Sequence, residues 1–426
     1  MMQIHVIQSG QSLWSLSQLY RVPVETLASV NQITDANQLA IGQALVIPTS
    51  SQLYVVQPGD TLQSIAIAYA TSVATLAASN QITSPSQVYV GQVLRVPIRN
   101  QASTEVNAYL TDVSSKGQQT VEELARVLTY MSPFSYHVST DGSLVPLNDT
   151  ALISTAKSAR VAPLLVMTNW SGQMFSSDLA HNILNNTSLQ QTVIENVLSV
   201  MKSRGHIGLN IDFEYVYPQD RTSYNGFLQA VTTRLHQEGY LVSTALAPKI
   251  SGTETGLLYE AHDYPVHGQL CDFVVLMTYE WGWIGGPPMA VSPVNQIQQV
   301  LNYAVSVIPP NKILMGVSVY GYDWKLPFVS GTRAQTLSPQ GAVNRAIGLR
   351  VPIQYSATSQ APYYRYVDSA GNQHQVWFED ARSFQAKLNL VRQYRLRGMS
   401  FWSYPTDFPQ VPYVLADNFQ VRKLLQ

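Results

Sequence analysis

The sequence predicts an α/β protein: a (β/α)₈ TIM barrel preceded by two small βααβ domains. Three observations predict this fold. A stretch of about 45 residues is repeated in tandem near the N-terminus. From about residue 105 onward, eight short apolar runs alternate with segments of helical periodicity. One of these runs, HIGLNIDFEYV (206–216), carries two acids, which a strand built only for a core would not place there.

The repeats align without a gap. HVIQSGQSLWSLSQLYRVPVETLASVNQIT (5–34) matches YVVQPGDTLQSIAIAYATSVATLAASNQIT (54–83), and the register continues to Pro48 and Pro97. Each copy is typical of a strand, a glycine turn, two short helices and a closing strand. The expected boundaries are 3–49 and 52–98 for the repeats, 99–104 for a polar linker and 105–426 for the barrel.

The repeats resemble the LysM module, because the second copy reads Y-x-V-x-x-G-D-T-L-x-x-I-A, then V-x-x-L-x-x-x-N-x-I, then G-Q-x-L-x-V-P. The first copy departs at His5, Gln11 and Ser12. The resemblance implies binding of N-acetylglucosamine-containing glycans, and two tandem copies favour avid binding to a polymer. It places the sugar groove beside the turn after the first strand. The residues expected there are Gly10, Gln11 and Ser12 in the first copy and Gly59, Asp60 and Thr61 in the second.

Eight strands are predicted for the large domain. They are 106–110, 133–138, 162–168, 206–214, 242–248, 273–279, 313–320 and 398–404. Helical segments such as 121–131, 189–205 and 224–239 lie between them, and Gly205 and Gly239 are expected helix terminators. The alternative is a doubly wound open sheet, but no Gly-rich phosphate turn follows any of these strands.

Composition excludes several classes of protein. Lys plus Arg (25) nearly balance Asp plus Glu (26), which argues against a nucleic-acid partner. Cys271 is the single cysteine, so neither an intramolecular disulfide nor a cysteine metal cluster is expected. The histidines show no paired metal spacing, no apolar run is long enough for a membrane span, and the N-terminus lacks the pattern of a classical signal peptide. We therefore expect no cofactor, no metal and no membrane span, and we expect a monomer.

The acids of 206–214 fall on one face of the predicted fourth strand. Alternation groups Asn210, Asp212 and Glu214 together, pointing into the barrel, with Glu214 at the C-terminal end where barrel active sites lie. Carboxylates at i and i+2 are close enough for repulsion and burial to raise one pKa. We expect Glu214 to be the general acid and Asp212 its partner. The alternative is an ion pair that closes the barrel.

Aromatic and polar residues at other strand ends favour a sugar substrate. Tyr279 and Glu280 follow the sixth strand, Trp402 lies on the eighth and Trp170 ends the third. Flat aromatic faces around an acidic centre suit the C–H faces of sugar rings.

These residues resemble glycoside hydrolase family 18, whose fourth strand reads D-G-x-D-x-D-x-E. The sequence I-G-L-N-I-D-F-E matches at Gly208, Asp212 and Glu214 and departs at Ile207 and Asn210. The family's M-x-Y-D appears as residues 277–280, so Met277 and Glu280 join Asn210, Trp170 and Trp402 as expected substrate contacts.

The family 18 resemblance implies a substrate-assisted, retaining mechanism. It also implies a role for each residue of the predicted site. Glu214 acts as acid and base, Asp212 and Tyr279 hold the acetamido group, and Trp402 forms the floor of the pocket.

LysM repeats before such a barrel, together with NIDFEYV and MTYEWG, resemble the cortex-fragment lytic enzymes of spore-forming bacteria. That resemblance implies N-acetylglucosaminidase action on cortex peptidoglycan during germination, and a location in the spore at the boundary of coat and cortex. Between the seventh and eighth strands we expect only a small hairpin, with its turn at 370–372, and therefore an open cleft.

Three alternatives stay open. The first is a chitinase that uses the same residues, and the second is a glycan-binding protein without activity. The third is a muramidase, which would leave muramic acid at the new reducing end. The sequence leaves endo against exo action undecided.

Overall fold

The computed structural model describes residues 2–49, 53–69, 71–84, 88–97 and 101–426. Both predicted βααβ repeats are present, and each closes as an antiparallel strand pair. The first consists of Met2–Val6, Leu13–Tyr20, Val24–Val30 and Ala44–Pro48; the second consists of Leu53–Val55, Leu62–Ala68, Val73–Ser79 and Val93–Arg95.

The predicted barrel is confirmed as eight parallel strands. They are Ala102–Leu110, Tyr130–Pro133, Ala162–Thr168, Gly208–Asp212, Leu241–Leu246, Phe273–Leu276, Ile313–Ser318 and Gly398–Tyr404. Each strand pairs with the next in chain order, and the eighth pairs with the first, so the sheet is closed. All eight carboxyl ends consequently meet at one rim.

Helices cover the outside of the barrel. They are Ser115–Leu124, Thr150–Ser158, Ser177–Leu184, Thr187–Arg204, Arg221–His236, Tyr264–Leu270, Val294–Val307, Ala381–Gln393 and Val411–Asn418, with short 3₁₀ turns at Ala125–Val127, Pro218–Asp220 and Pro310–Lys312. Gly205 ends the longest helix at φ 79°, as predicted. Gly239, at φ 78°, follows the helix Arg221–His236. Among the described residues no single helix is long and apolar enough to cross a membrane, and only the bent pair Leu62–Ala68 and Val73–Ser79 meets that test jointly.

Several predicted strand boundaries are wrong, and those of the first two strands differ most. The first strand begins at Ala102, inside the predicted linker, because residues 102–104 pair with the terminal strand Phe419–Val421. The second strand lies at Tyr130–Pro133 rather than 133–138, so part of a predicted helix is strand. The segment Tyr136–Val138 continues beside the third strand as a separate short strand, paired with Leu144–Val145.

The connection from the seventh to the eighth strand is larger than predicted. Instead of one hairpin it holds a five-stranded antiparallel sheet and a helix, which we call the insertion, residues 321–377. Its elements are Gly321–Leu326, Gln335–Leu337, Pro339–Leu349, Gln354–Ser356, Ala361–Val367 and Gln373–Trp377. The predicted turn at 370–372 does join its last two strands. Three of its four strand pairings join consecutive strands, so the single predicted hairpin accounts for only the last of them.

The first repeat packs directly on the barrel. Met2, Val30, Ala44 and Val46 belong to the same apolar core as the barrel strands and helices. The second repeat has a separate small core of its own. The two repeats therefore have different relations to the large domain although their sequences are alike.

Candidate active site

The two acids of the fourth strand open into a cavity of about 540 Å³ at the carboxyl rim of the barrel. Asp212 is the last residue of the strand, and Glu214 lies two residues beyond it. The cavity is lined mainly by aromatic side chains. The lining residues are Tyr109, Thr111, Phe134, Trp170, Phe175, Asp212, Glu214, Tyr215, Ala245, Pro248, Leu258, Tyr259, Met277, Tyr279, Glu280, Trp281, Trp283 and Trp402.

Asp212 is buried, and Glu214 is half-buried at the cavity wall. Burial raises the pKa of Asp212 to about 7, against an ordinary value of 3.8. Burial, and then the charge of Asp212, raise the pKa of Glu214 well above its ordinary value. Oδ1 of Asp212 is buried and meets no hydrogen-bond donor among the described residues. The pair therefore holds a proton under conditions in which ordinary carboxyls have lost theirs.

Asn210 lies deeper than predicted and does not line the cavity. Its Oδ1 accepts a hydrogen bond of 2.8 Å from the Tyr109 hydroxyl, and its Nδ2 donates one of 3.0 Å to Ser243 Oγ. Its expected substrate contact is thus replaced by a structural one. An amide fits here because one side of it must accept while the other donates.

Tyr279, Trp402 and Met277 line the cavity as predicted. Tyr279 and Trp402 stack with centroids 6.3 Å apart and planes inclined by 15°. Trp402 also meets Phe134 edge to face at 4.8 Å. Trp170 lies on the far side, edge to face with Phe175 at 5.0 Å. The arrangement gives the cavity a rigid aromatic floor and a second aromatic side.

Glu280 lies at the cavity edge, and its carboxylate accepts hydrogen bonds from the hydroxyls of Tyr320 and Tyr322. Burial raises its pKa despite those bonds. Glu280 and Tyr215 are non-glycine residues in the left-handed region, at φ 65° and 54°, directly after Tyr279 and Glu214. Such backbone costs about 1–3 kcal/mol per residue, and here it turns the chain away immediately after each polar group.

Two side chains hold the backbone of Glu214 where the strand ladder has ended. Asn169 Oδ1 accepts from the Glu214 N–H at 3.0 Å, and Asn169 Nδ2 donates to the Glu214 carbonyl at 2.8 Å. His262 Nε2 donates to the Phe213 carbonyl at 3.0 Å, while its Nδ1 accepts from the Ala247 N–H at 2.8 Å. Burial lowers the pKa of His262 to about 4, so the neutral ring keeps both bonds.

Sequence reasoning missed Asn169 and His262, and it missed much of the cavity lining. The signal for Asn169 was available, since it stands between the third strand and Trp170. Trp281 and Trp283 follow Glu280 directly, and Tyr215 follows Glu214. For His262 no local signal exists, because it reaches the site from a long loop after the fifth strand.

The insertion does not line the cavity; no lining residue comes from its described positions, 321–377. It instead supports the loop that carries Trp281 and Trp283. Ala334 N–H donates to the Ile284 carbonyl at 2.7 Å, and Tyr322 and Trp324 pack with Val291. The predicted open cleft is therefore bounded by a loop that a separate sheet holds in place.

In each repeat a polar side chain predicted for the glycan groove, Gln11 or Asp60, hydrogen-bonds to the backbone of its own turn. Asp60 accepts from the Gln57 N–H at 2.7 Å and from the Tyr54 hydroxyl at 2.6 Å. In the first copy Gln11 accepts from the Gln8 N–H and from His5 Nε2, both at 2.8 Å. The pair His5–Gln11 thus replaces Tyr54–Asp60 with the same geometry.

Ser12 and Thr61 are helix N-caps with capping boxes, as their positions indicate. Gly10 and Gly59 adopt φ of 82° and 86° and have open space where a side chain would stand. Their contact with glycan stays a prediction, and it would involve the turn backbone more than these occupied side chains.

Among the described residues no group of three or more His, Cys, Asp or Glu side chains is placed to hold a metal ion. The polar side chains of the cavity are instead three acids and five hydroxyls: Asp212, Glu214, Glu280, Thr111, Tyr109, Tyr215, Tyr259 and Tyr279. Such a set can donate a proton, accept it again and hydrogen-bond a neutral ligand.

Comparison with known families agrees with this chemistry. Residues 106–407 match the glycosyl hydrolases family 18, and residues 5–48 and 54–97 match the LysM domain. The chain belongs to glycosyl hydrolase family 18 and carries two LysM domains, and it is a glycosidase.

Proteins that match the whole length of the chain indicate a narrower group within the family. The chain is 48% identical to the cortical fragment-lytic enzyme of Bacillus subtilis (strain 168) and 45% identical to that of Bacillus cereus, covering 99% of this chain in each case, and 99% and 100% of the relatives. The crystal structure of the Bacillus cereus spore cortex-lytic enzyme SleL matches with a TM-score of 0.95 at 41% identity, over 99% of both chains. The predicted resemblance to this group is confirmed.

Replacement of Asn169 tests how Glu214 is held. We expect Asn169→Ala to lower kcat by about ten-fold to a hundred-fold, because small displacements of a catalytic group are costly. KM should stay within about two-fold, since Asn169 does not line the cavity. Steady-state kinetics on a soluble N-acetylglucosamine oligomer measures both. Asn196→Ala, which loses a 2.8 Å bond to the Gly142 carbonyl elsewhere, is the matched control. An unchanged kcat would contradict the assignment.

Replacement of Asp212 tests its burial. An acid with a raised folded-state pKa loses stability as pH rises from its unfolded value, near 3.8, to its folded value, about 7. Asp212→Asn removes that loss. We therefore expect the free energy of unfolding of the variant, measured relative to the wild type, to increase by a few kcal/mol from pH 4 to pH 7. Urea unfolding at both pH values measures the gain. Asp141→Asn, at an exposed turn, should show no such gain, and a pH-independent difference for Asp212→Asn would refute the burial argument.

Proposed function

We propose that the chain is an N-acetylglucosaminidase that cleaves glycan strands or fragments of spore cortex peptidoglycan during germination. The observation that carries the proposal is the acid pair, Asp212 and Glu214, facing an aromatic cavity beside Tyr279. The full-length relatives named cortical fragment-lytic enzyme support the choice of cortex as the substrate.

The reaction proceeds in two steps with retention at the anomeric carbon. In the first, the acetamido carbonyl oxygen of the substrate bonds to its own anomeric carbon as the glycosidic bond breaks. The Glu214 carboxyl gives its proton to the leaving oxygen, and an oxazolinium ion forms. In the second, the Glu214 carboxylate takes a proton from water, whose oxygen bonds to the anomeric carbon and opens the oxazolinium ring.

Each remaining residue has a separate task. Asp212 accepts the acetamido N–H, which gives its unpaired Oδ1 a partner. Tyr279 donates its hydroxyl to the acetamido carbonyl, and burial raises its pKa well above the ordinary value, so the donor proton is retained. Trp402 forms the floor under the reacting sugar. Trp170 and Met277 contact the sugars beside it, and Glu280 orients the hydroxyls of Tyr320 and Tyr322 at the edge.

The raised pKa of Glu214 is the physical support for its role as an acid. A general acid must hold its proton at working pH, and burial together with the charge of Asp212 provides this. Asn210 contributes indirectly, because its amide adds no third negative charge beneath the pair. An aspartate there would raise both pKa values further.

The repeats bring the enzyme to its polymer. We place glycan binding in the LysM domains, the enzyme at the boundary of coat and cortex in the spore, and the working form as a monomer. Balanced charge, with a net charge of -1, is consistent with a neutral glycan strand as the main contact.

Chitin oligomers are a second candidate substrate. The insertion favours them, because it braces the loop that brings Trp281 and Trp283 to the cavity. The same carboxyl pair would act on either polymer. Comparing turnover on purified cortex fragments with turnover on chitin oligomers separates the two.

Replacement of Glu214 tests the proposed acid. We expect Glu214→Gln to lower product release from purified cortex fragments by at least about 100-fold, since the amide cannot donate the proton. Reducing-end assay measures the rate, and mass spectrometry identifies the new reducing sugar. The wild type should leave N-acetylglucosamine there.

Glu122→Gln, on an exposed helix, serves as the control and should retain full activity. Equal rates for Glu214→Gln and the wild type would remove Glu214 from catalysis. Muramic acid at the new reducing end would instead show a muramidase.

A further inference from the structure

The two repeats present the same segment to different surroundings. This segment precedes the closing strand: Ala40–Ile41–Gly42 in the first repeat and Tyr89–Val90–Gly91 in the second. The two glycines have nearly equal φ, 82° and 83°, and each N–H donates at 2.8 Å to the carbonyl of the residue after the first strand, Ile7 or Val56. The backbone is therefore alike, and differences in contacts come from the side chains and their surroundings.

In the first repeat the segment contacts the insertion and the barrel helix Ala381–Gln393. Ile353 N–H donates to the Ile41 carbonyl at 2.8 Å, and Arg382 Nη2 of that helix donates to the Gly42 carbonyl at 2.9 Å. A Cβ on Gly42 would stand 1.9 Å from the Ile353 carbonyl oxygen, and Ala40 is buried in the apolar core of the insertion. Only the Ile41 side chain stays exposed, at 49%, so the rest of the segment is occupied by the chain itself.

In the second repeat the equivalent segment is free. Tyr89 is 68% exposed and Val90 is 65% exposed, and a Cβ on Gly91 would meet no described atom within 4 Å. The first residues of the closing strands differ in exposure in the same direction. Ala44 of the first repeat is 4% exposed against the barrel, whereas its counterpart Val93 is 54% exposed. The second repeat thus shows to solvent the face that the first uses for docking.

The second repeat is held in place by the first. Gln3 Oε1 accepts from the Val55 N–H at 3.1 Å, and Gln57 Nε2 donates to the Tyr20 hydroxyl at 2.9 Å. Tyr69 also donates its hydroxyl to the Met2 carbonyl at 3.4 Å. The exposed face is therefore carried on a fixed support rather than on a free linker.

The chemistry of the exposed segment suits a neutral glycan. Residues 88–93, VYVGQV, carry no charge, and the Gln92 side chain is occupied by the Tyr89 N–H at 3.0 Å. A tyrosine ring beside an open glycine offers a flat apolar face and unhindered approach for a sugar ring. A polyanion would find no cation among these six residues.

We propose that the two repeats divide their work: the second contacts the glycan strand through Tyr89–Val90–Gly91, and the first is a bracket between it and the catalytic domain. This rests on the proposed function, which assigns glycan binding to the repeats jointly. The bracket fixes the position of the glycan contact relative to the catalytic cavity.

Binding of the full-length enzyme to purified, insoluble cortex peptidoglycan tests the division. The variants are built on Glu214→Gln, so that the polymer is not degraded. We expect Tyr89→Ala to weaken binding by at least about ten-fold, as removal of a central aromatic contact does. Trp14→Ala, in the first repeat and equally exposed at 68%, should bind within two-fold of its parent.

Two results would contradict the proposed division of work between the repeats. One is that Trp14→Ala weakens binding more than Tyr89→Ala does, and the other is that Tyr89→Ala binds like its parent. With Glu214 intact, Trp14→Ala should retain wild-type turnover on a soluble N-acetylglucosamine oligomer, because Trp14 does not line the cavity. If the wild type does not hydrolyse cortex, the proposed function is contradicted instead. The relative binding of the two variants would still decide whether the repeats divide their work.

Discussion

Partial removal of Asp212 and Glu214 from water is the constraint on which the rest of the active site depends. Burial raises the pKa of both carboxyls, and the charge of Asp212 raises that of Glu214 further, so the pair keeps a proton where ordinary carboxyls are ionised. The aromatic lining contributes twice, because it excludes water from the acids and gives a sugar ring flat faces to lie against.

Burial alone would leave the acid poorly placed, since the fourth strand ends before Glu214. The backbone of residues 213 and 214 is therefore bonded by side chains from elsewhere, Asn169 and His262. Both are neutral, so they fix the position of the acid without lowering its pKa. Different groups therefore position Glu214 and raise its pKa: Asn169 and His262 fix the backbone, and burial with the charge of Asp212 raises the pKa.

The fold was largely predictable because its signals are local. Alternation along 206–214 placed Asp212 and Glu214 on the inward face, and the internal repeat defined both small domains. Tyr279, Trp402 and Trp170 could be predicted from strand ends alone. These features need only the period of a strand and the common rim of a parallel barrel.

Part of what prediction missed depends on contact between distant parts of the chain. Residues 102–104 become strand only because the C-terminal segment pairs with them, and Gly321–Leu326 pairs with the distant strand Gln373–Trp377. Asn210 looked like a substrate contact, but Tyr109 and Ser243 occupy its amide. The different surroundings of the two repeats could not be predicted from their alignment, because they depend on contacts with the large domain.

Direct titration of the acid pair tests the central claim. Carbon-13 NMR of carboxyl-labelled protein, with Asp212→Asn and Glu214→Gln spectra for assignment, gives the pKa of each group in the folded chain. We expect an apparent pKa of about 7 for Asp212 and a pKa for Glu214 well above its ordinary value of 4.5. Titration of both groups near pH 4 would contradict it, because the pair would then be fully ionised at neutral pH and Glu214 would have no proton to give.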